Sequence, residues 1–356
     1  MRIALIGCGH IGTVHSFALK QLLDVGEIEA RVVTTYDPDV GRAEKMATPH
    51  GATPVAGIDE ACDGADVAWI CTWTSAHRLA VEAAVERGMP VFCEKPLAPT
   101  LDECEAVGEL LRNVPNQVGL VLRHAPVFAN VAEIVASGRY GRPMAVTLRD
   151  DQYFPNQGMY GSTWRSDVAK AGGGALIEHS IHDVDVLRWI LGDPEQVTAR
   201  TASHFSHPGI EDAVNAGFAY ADGTVATLVS VWHQVMTRPS TRRLEVLLEE
   251  AFCWTEDDHL GPLYVETSAG TEVVTGEVPA YASRFRLPEV LAKSLAAYAE
   301  PARAFLTALA ADPTGARGHP DVEVALAAHR LVDAAYRSAA DGGAAIALQP
   351  GPASAD

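Results

Sequence analysis

The chain has 356 residues, which is long for one hydrophobic core, so we expect two domains. Its composition, 48% hydrophobic and 21% charged, is ordinary for a soluble globular protein. The formal net charge of −19 argues against nucleic-acid and anionic-membrane partners, because like charge repels their phosphates.

The N-terminus and the cysteines bear on the compartment. The opening residues run directly into a strand and a glycine-rich turn, with no signal-peptide pattern and no apolar run of membrane-spanning length. The six cysteines show no CxxC pairing, and most lie in apolar, strand-like runs. We expect a cytoplasmic protein with buried free thiols.

A strand–turn–helix–strand–acid arrangement opens the chain. Residues 2–6 predict a strand, a helical run extends to about Leu23, and a second strand over residues 31–36 ends at Asp37. The turn has the GxGxxG spacing of dinucleotide-binding folds, carried by Gly7, Gly9 and Gly12. These glycines would allow a tight turn, approach of the pyrophosphate and helix packing, while the helix N-terminus would bind phosphate.

Asp37 bears on the choice of cofactor. A carboxylate here can bind both ribose hydroxyls of NAD and would repel the 2′-phosphate of NADP. The sequence therefore favours NAD over NADP. The alternative is that Asp37 is an ordinary turn residue at a strand end.

Alternating strands and helices continue to about residue 122 and predict a parallel sheet covered on both faces. Ligands in such sheets lie beyond the carboxyl ends of the strands. There His77 is either a ligand residue or a surface residue at a helix start, and Lys95 is either drawn into the crevice or solvated. The candidate cofactor-binding residues are Gly7, Gly9, His10, Ile11, Gly12, Asp37, Thr72, Trp73, His77, Glu94 and Lys95.

A glycine-rich run, residues 172–192, predicts a buried helix that ends at Gly192. Glu178, His182 and Asp185 fall on one narrow stripe of it, because positions three and four apart stack on a helix. A buried acid and histidine one turn apart are either a structural pair or poised for proton transfer. We expect no metal here, because consecutive residues of the set Glu178, His179, His182 and Asp183 point about 100° apart.

The remainder predicts a mostly antiparallel sheet. Strand-like segments near residues 139–152, 196–202, 213–220, 224–232, 244–248 and 263–266 are separated by Gly, Pro and Asp turns. Between the first two lies an aromatic-rich loop with Tyr160, Trp164 and Arg165, which either lines a sugar pocket or packs on itself. His204 and His207 have HxxH spacing but no further ligand nearby, so we expect no metal there either.

With these residues assembled, the chain resembles the glucose–fructose oxidoreductase, inositol dehydrogenase and rhizopine-catabolism family (Gfo/Idh/MocA). The resemblance covers nearly its whole length. It rests on the GxGxxG turn with His15 three residues beyond, on Glu94-Lys95-Pro96, and on the glycine-rich stretch that leads to His182 and Asp185.

The resemblance implies an α/β protein with an N-terminal Rossmann domain (residues 1–123), a C-terminal substrate and oligomerisation domain with a large open sheet (residues 124–345), and a tail (residues 346–356). It implies homodimers or homotetramers formed through that sheet. It also implies a cis Lys95–Pro96 bond.

The resemblance further implies that Lys95 contacts the reacting hydroxyl and that His182 moves its proton, helped by Glu178. Glu178 stands where the family usually has aspartate, and His179 replaces a residue that is usually apolar. A motif arginine corresponds either to Arg123 or to His124. The candidate substrate-binding residues are Lys95, Arg123, His124, Tyr160, Trp164, Arg165, Glu178, His179 and His182.

The favoured function is an NAD-dependent dehydrogenase of a secondary alcohol on a sugar, cyclitol or related polyol. An NAD-dependent glycosidase or lyase, working by transient oxidation and elimination, would use the same residues. A cofactor-sensing regulator without catalysis is a third reading, which the presence of both Lys95 and His182 disfavours. The enzymatic readings require these two side chains to converge beside the nicotinamide.

Overall fold

The computed structural model describes residues 1–348. Within them the helices are α1 (His10–Asp24), α2 (Val40–Ala47), α3 (Ile58–Cys62), α4 (His77–Val85), α5 (Leu101–Leu111), α6 (Pro126–Ser137), α7 (Val168–Ala171), α8 (Ala175–Glu178), α9 (Ile181–Leu191), α10 (Glu289–Ala311) and α11 (Val322–Ala340). The strands are β1 (Arg2–Ile6), β2 (Arg31–Tyr36), β3 (Thr53–Pro54), β4 (Val67–Ile70), β5 (Val91–Cys93), β6 (Asn116–Val118), β7 (Pro143–Tyr153), β8 (Gln196–Ala202), β9 (Ala213–Ala219), β10 (Val225–His233), β11 (Thr241–Leu248), β12 (Phe252–Thr255), β13 (Leu263–Thr267), β14 (Gly270–Val274) and β15 (Ile346–Ala347).

The chain forms two compact units. The first contains Met1–His124 and Val278–Leu326, and the second contains Ala125–Glu277 and the residues from Ala327 on. The predicted boundary after residue 123 lies beside this division. The predicted second domain, however, includes Val278–Leu326, which belongs to the first unit because α10 buries one face in the core around α1 and β1.

The first unit is built on the predicted parallel sheet. Its six strands lie in the order β3-β2-β1-β4-β5-β6, and all the paired strands are parallel. Apolar strands of this kind, with helices between them, are covered on both faces. At its centre Trp69 and Phe92 stack, with ring centroids 4.1 Å apart. The last strand of this alternation was expected over residues 117–122, but β6 ends at Val118 because the chain then turns into a 3₁₀ helix over Val121–His124.

The second unit is built on a nine-stranded sheet in the order β14-β13-β12-β11-β7-β10-β9-β8-β15. Among the described strands of this sheet, only β7 and β10 pair in parallel, so the prediction of a mostly antiparallel sheet is confirmed. Side chains alternate along β10, β11 and the middle of β7 (residues 146–150), and the even-numbered residues there are buried. One face of the sheet therefore carries a core.

The predicted helix over residues 172–192 is divided in two. Helix α8 ends at Glu178, and α9 begins at Ile181 and ends, as predicted, at Gly192. The periodicity predicted that Glu178 and His182 lie one turn apart on a continuous helix, but the two residues lie on separate helices. The helix breaks at His179, whose ring contacts Asp150 and Arg242.

The end of the chain also differs from the prediction. Ile346 and Ala347, assigned to a tail, pair with β8 at the edge of the large sheet. Residues 349–356 of that tail lie outside the described part. All six cysteines are buried free thiols, as predicted. No helix in residues 1–348 is long and apolar enough to cross a membrane.

Candidate active site

The glycine turn after β1 is shaped by close backbone packing. Gly7 has φ +97°, and a Cβ there would lie 2.4 Å from the carbonyl carbon of Cys71 and 2.5 Å from the nitrogen of Thr72. A Cβ at Gly12 would lie 2.1 Å from the oxygen of Gly7. At Gly9, by contrast, a Cβ would meet nothing within 4 Å. Gly7 and Gly12 are thus required by packing, whereas Gly9 leaves an open surface for a ligand.

The surroundings of this turn suit a dinucleotide. The N-cap of α1 is Gly9, which has no side chain to bind the N–H groups of the first turn, where His10 and Ile11 lie, so these groups can bind phosphate. The Asp37 carboxylate accepts hydrogen bonds from the nitrogens of Cys8 (2.8 Å) and Asp39 (2.9 Å). A carboxylate has about four acceptor positions, so Asp37 keeps capacity for ribose hydroxyls.

Thr72 and Trp73 follow β4 and are half-buried. The Thr72 hydroxyl oxygen is buried and has no hydrogen-bond partner within residues 1–348. Buried polar atoms in native proteins are normally paired, so this hydroxyl is suited to a ligand.

His77 is a buried link between two loops. Its side chain is 1% exposed, so the alternative of a surface residue is wrong. Nδ1 lies 2.8 Å from the carbonyl oxygen of Pro96 and Nε2 lies 3.1 Å from that of Thr72. The ring therefore connects the segments that follow β5 and β4.

The Glu94-Lys95-Pro96 segment continues from β5, and the Lys95–Pro96 bond is cis, as predicted. The Glu94 carboxylate is held inside the protein, by the His15 ring at 2.7 Å and by the Lys95 backbone nitrogen at 3.1 Å. Glu94 is 4% exposed, so its side chain serves the protein interior, while Lys95 is half-buried.

Arg123 and His124 are the last two residues of the 3₁₀ helix that follows β6, where the chain leaves the first unit. Arg123 is buried. The His124 ring lies 3.0 Å from the carbonyl oxygen of His319, and burial lowers its pKa despite that hydrogen bond.

In the second unit the glycine run packs against protein. A Cβ at Gly174 would lie 1.8 Å from the carbonyl oxygen of Glu211, and one at Gly173 would lie 2.5 Å from the Tyr336 hydroxyl. The Glu211 carboxylate accepts hydrogen bonds from the nitrogens of Gly174 (2.7 Å) and Leu176 (2.9 Å) and from Tyr336 (2.9 Å). These contacts hold the start of α8.

Glu178, at the end of α8, is paired with an arginine from the aromatic-rich loop. The Arg165 guanidinium donates to its carboxylate at 3.0 Å and lies over the Trp164 ring, 4.4 Å from the centroid. The Glu178 side chain is fully buried, whereas that of Arg165 is 20% exposed. Tyr160, from the same loop, packs on Tyr153 with centroids 5.3 Å apart, and burial raises its pKa. The pair presents arginine donors, rather than a bare carboxylate, to solvent.

His179 lies at the break between α8 and α9, and both its ring nitrogens are engaged. Nε2 lies 2.9 Å from an Arg242 nitrogen, and Nδ1 lies 3.0 Å from the Asp150 carboxylate. Because arginine can only donate, Nε2 is the acceptor and Nδ1–H donates to Asp150. Ser180, the next residue, donates to the same carboxylate at 2.8 Å. Asp150 thus fixes the chain at the point where the helix is interrupted.

Arg242 is the centre of this cluster. It is 4% exposed and donates to Asp183 (2.8 Å), Asp258 (2.9 Å) and His179. Burial, together with the charge of Asp183, raises the pKa of Asp150 well above its usual value, although Arg242 opposes this. One oxygen each of Asp150 and Asp183 has no partner in residues 1–348.

His182 is the second residue of α9 and is buried, with 8% of its surface exposed. Its backbone nitrogen lies 3.4 Å from the carbonyl oxygen of His179. Asp185 lies one turn further along α9 and is also buried. The Asp150–Arg242 cluster therefore sets where the first turn of α9 lies, and with it His182.

Five residues that build this part of the second unit were not predicted from the sequence: Asp150, Arg242, Asp258, Tyr336 and, as a loop anchor, Glu211. Asp150 and Arg242 had a signal, since each occupies an inward position in phase with buried apolar residues of its strand. Asp258 had none, because it reaches the cluster from a bend at φ +53°.

Two family models together match most of the chain. Residues 1–121 match an oxidoreductase family with an NAD-binding Rossmann fold, and residues 128–252 match the Gfo/Idh/MocA C-terminal domain. A myo-inositol dehydrogenase, Hyg17, of Streptomyces leeuwenhoekii is 32% identical over 345 residues, or 93% of this chain and 97% of that protein. An inositol 2-dehydrogenase of Rhizobium meliloti is 28% identical over 96% of this chain and 97% of that protein.

Solved structures agree on the fold. A putative myo-inositol dehydrogenase from Sinorhizobium meliloti has a TM-score of 0.76 at 26% identity, over 98% of this chain and 100% of that one. A levoglucosan dehydrogenase in complex with NADH and levoglucosan has a TM-score of 0.82, over 98% of this chain and 99% of that one. Its sequence is 21% identical, so the likeness supports a shared fold only. The family matches, the glycine turn and the nine-stranded sheet lead to one conclusion: this chain belongs to the Gfo/Idh/MocA family and is an NAD-dependent oxidoreductase.

Proposed function

We propose that the protein oxidises a secondary alcohol of a cyclitol or related sugar polyol with NAD. The observation that carries this is the 32% identity to a myo-inositol dehydrogenase along 93% of the chain. The Arg165–Glu178 pair supports it, because a partly exposed guanidinium beside an aromatic ring suits a ligand with hydroxyl groups and C–H faces.

The first unit would hold NAD through features of its own. The start of α1 and the open surface at Gly9 would take the pyrophosphate, Asp37 the adenosine ribose, and the Thr72 hydroxyl a polar group of the cofactor. Bound NAD supplies a nicotinamide ring that accepts hydride. An anionic Asp37 disfavours the extra phosphate of NADP.

Proton handling would fall to Lys95 and His182. The Lys95 ammonium would stabilise the negative charge that develops on the reacting oxygen, and the His182 imidazole would take the hydroxyl proton. Arg165 would orient a neighbouring hydroxyl. Glu178, whose carboxylate already accepts from Arg165, would act by holding that arginine.

The test is turnover of a substrate panel of inositols, free sugars and aryl glycosides, followed by NADH absorbance. We expect NADH formation with a cyclitol or free sugar. Lys95→Met and His182→Ala should each reduce kcat at least about a hundredfold while NADH still binds, as measured by calorimetry. Matched controls are Lys45→Met, an exposed lysine on α2, and His204→Ala, whose side chain is 63% exposed.

Full turnover in the absence of both groups would exclude this mechanism. Cleavage of a glycoside without net NADH would instead indicate the glycosidase reaction.

A further inference from the structure

His15 and Glu94 form a buried pair inside the first unit. His15 lies on α1, three residues after Gly12 of the glycine motif, and is 0% exposed. Its Nε2 lies 2.7 Å from Oε1 of Glu94, which follows β5 and is 79 residues away in the chain. Both side chains are buried, so solvent does not compete for the hydrogen bond between them.

The histidine sits in an aromatic cage. Its ring meets the rings of Phe92 at 4.9 Å, Tyr298 at 5.8 Å and Trp69 at 5.9 Å, all edge-on. Nδ1 has no hydrogen-bond partner within residues 1–348. An ionised carboxylate only accepts, so Nε2 carries the proton and donates it to Glu94. His15 is therefore held in one orientation with a single hydrogen bond.

The Glu94 carboxylate is clamped on its other sides as well. Oε2 accepts from the Lys95 backbone nitrogen at 3.1 Å, and the Glu94 nitrogen donates to the oxygen of Ile70 at 2.9 Å. A Cβ at Gly119 would lie 2.5 Å from Oε1, so the glycine makes the space that the carboxylate fills. The direction in which the chain enters Lys95 is thus defined by Glu94.

The electrostatics keep this carboxylate charged. Burial alone would raise the pKa of Glu94, but the hydrogen bond from His15, together with the electrostatic influence of Lys95, brings it below its usual value. The other titratable groups that face it are the thiols of Cys71 and Cys93, whose pKa values burial and the nearby Glu94 raise. Those thiols are neutral at physiological pH, so Glu94 is the anion of this region.

Such a pair contributes little net stability, because desolvation of both groups offsets their attraction and an apolar replacement is often neutral. Its effect falls instead on Lys95, whose backbone nitrogen donates to the Glu94 carboxylate. We propose that His15 and Glu94 act as a positioning pair for Lys95, orienting its backbone and keeping a fixed negative charge at the adjoining residue. This rests on the proposed role of Lys95.

The test uses the NAD-bound enzyme with myo-inositol as the probe substrate. His15→Leu removes the donor, and His15→Gln keeps an N–H where Nε2 lies. We expect His15→Leu to lower kcat about tenfold or more with the KM for NAD nearly unchanged, because a small displacement of a reacting group costs this much. His15→Gln should recover activity to within about threefold of the wild type.

Glu94→Gln tests the charge. Without the anion, the Lys95 ammonium should lose its proton at lower pH, which should move the alkaline limb of kcat/KM downward by about one pH unit. The pH dependence of Lys95 acylation by an amine reagent, followed by mass spectrometry, gives the same reading without turnover. Leu309→Ala, in the core of the same unit at 1% exposure, is the control for lost stability.

The proposal is overturned if His15→Leu and Glu94→Gln behave like Leu309→Ala, with a lower Tm but wild-type kcat and an unmoved pH profile and acylation curve. If Lys95→Met itself retains full turnover, the proposed function fails first. Loss of turnover in Lys95→Met with wild-type behaviour of both pair variants overturns the positioning pair alone.

Discussion

Replacing the buried Arg242 by methionine should cost far more stability than the same change at its neighbour on β11. Arg242 is 4% exposed and donates hydrogen bonds of 2.8, 2.9 and 2.9 Å to Asp183, Asp258 and His179. Each buried acceptor left unsatisfied costs about 1–3 kcal/mol. Proton uptake by the carboxylates offsets part of this, so we expect a net loss of about 3–5 kcal/mol.

Arg243 is the matched control. It points to the other face of the sheet, its side chain is 42% exposed, and it pairs with Glu245 at 2.8 Å and with Glu256 at 3.5 Å. Exposed pairs of this kind contribute about 0–1 kcal/mol, so Arg243→Met should be nearly neutral.

The loss at Arg242 should also depend on pH. In the wild type, the Arg242 charge and His259 outweigh burial and depress the pKa of Asp258, so its stabilising contribution is present above the unfolded-state pKa and is lost at low pH. Without Arg242, burial should raise the folded-state pKa of Asp258 above its unfolded value. The variant would then lose stability at high pH and regain part of it as acid protonates Asp258.

Urea unfolding at pH 8 and pH 5, followed by circular dichroism, measures both effects. We expect the difference between wild type and Arg242→Met to be larger at pH 8. Equal losses for the two arginine variants, or a difference that grows toward pH 5, would refute this reasoning.

Three further predictions concern the glycine run, the loop arginine and the ribose carboxylate. Gly174→Ala should lower the Tm by about 10 °C or more or prevent folding, because its Cβ would lie 1.8 Å from the Glu211 oxygen; thermal unfolding checks this, and a wild-type Tm would contradict it. Arg165→Met should remove the arginine that pairs with the buried Glu178 and raise the substrate KM at least about tenfold with the KM for NAD unchanged, as steady-state kinetics would show; equal changes in both constants would count against a substrate role. Asp37→Ala should raise the KM for NAD about tenfold and lower the ratio of kcat/KM with NAD to kcat/KM with NADP. An unchanged ratio would mean that Asp37 is only a turn residue.

Local pattern was sufficient for the Rossmann half. The glycine spacing, the apolar strands and the acid at the end of β2 are read from residues close in the chain, because a strand–turn–helix unit is stabilised largely by its own neighbours. The mostly antiparallel character of the second sheet was readable for the same reason. Helix α10 was not predicted, and its place in the first unit follows from packing with a segment more than 260 residues earlier.

The polar arrangement around His182 was decided by tertiary structure. Periodicity predicted one helix from the glycine run to Gly192, but the chain breaks at His179 because Asp150 and Arg242 bind that ring from two strands. Asp150 and Arg242 face each other across the β7–β11 ladder, although 92 positions separate them in the chain. A buried charge is tolerated only where partners are brought to it, and those partners come from strand register, which no local pattern encodes.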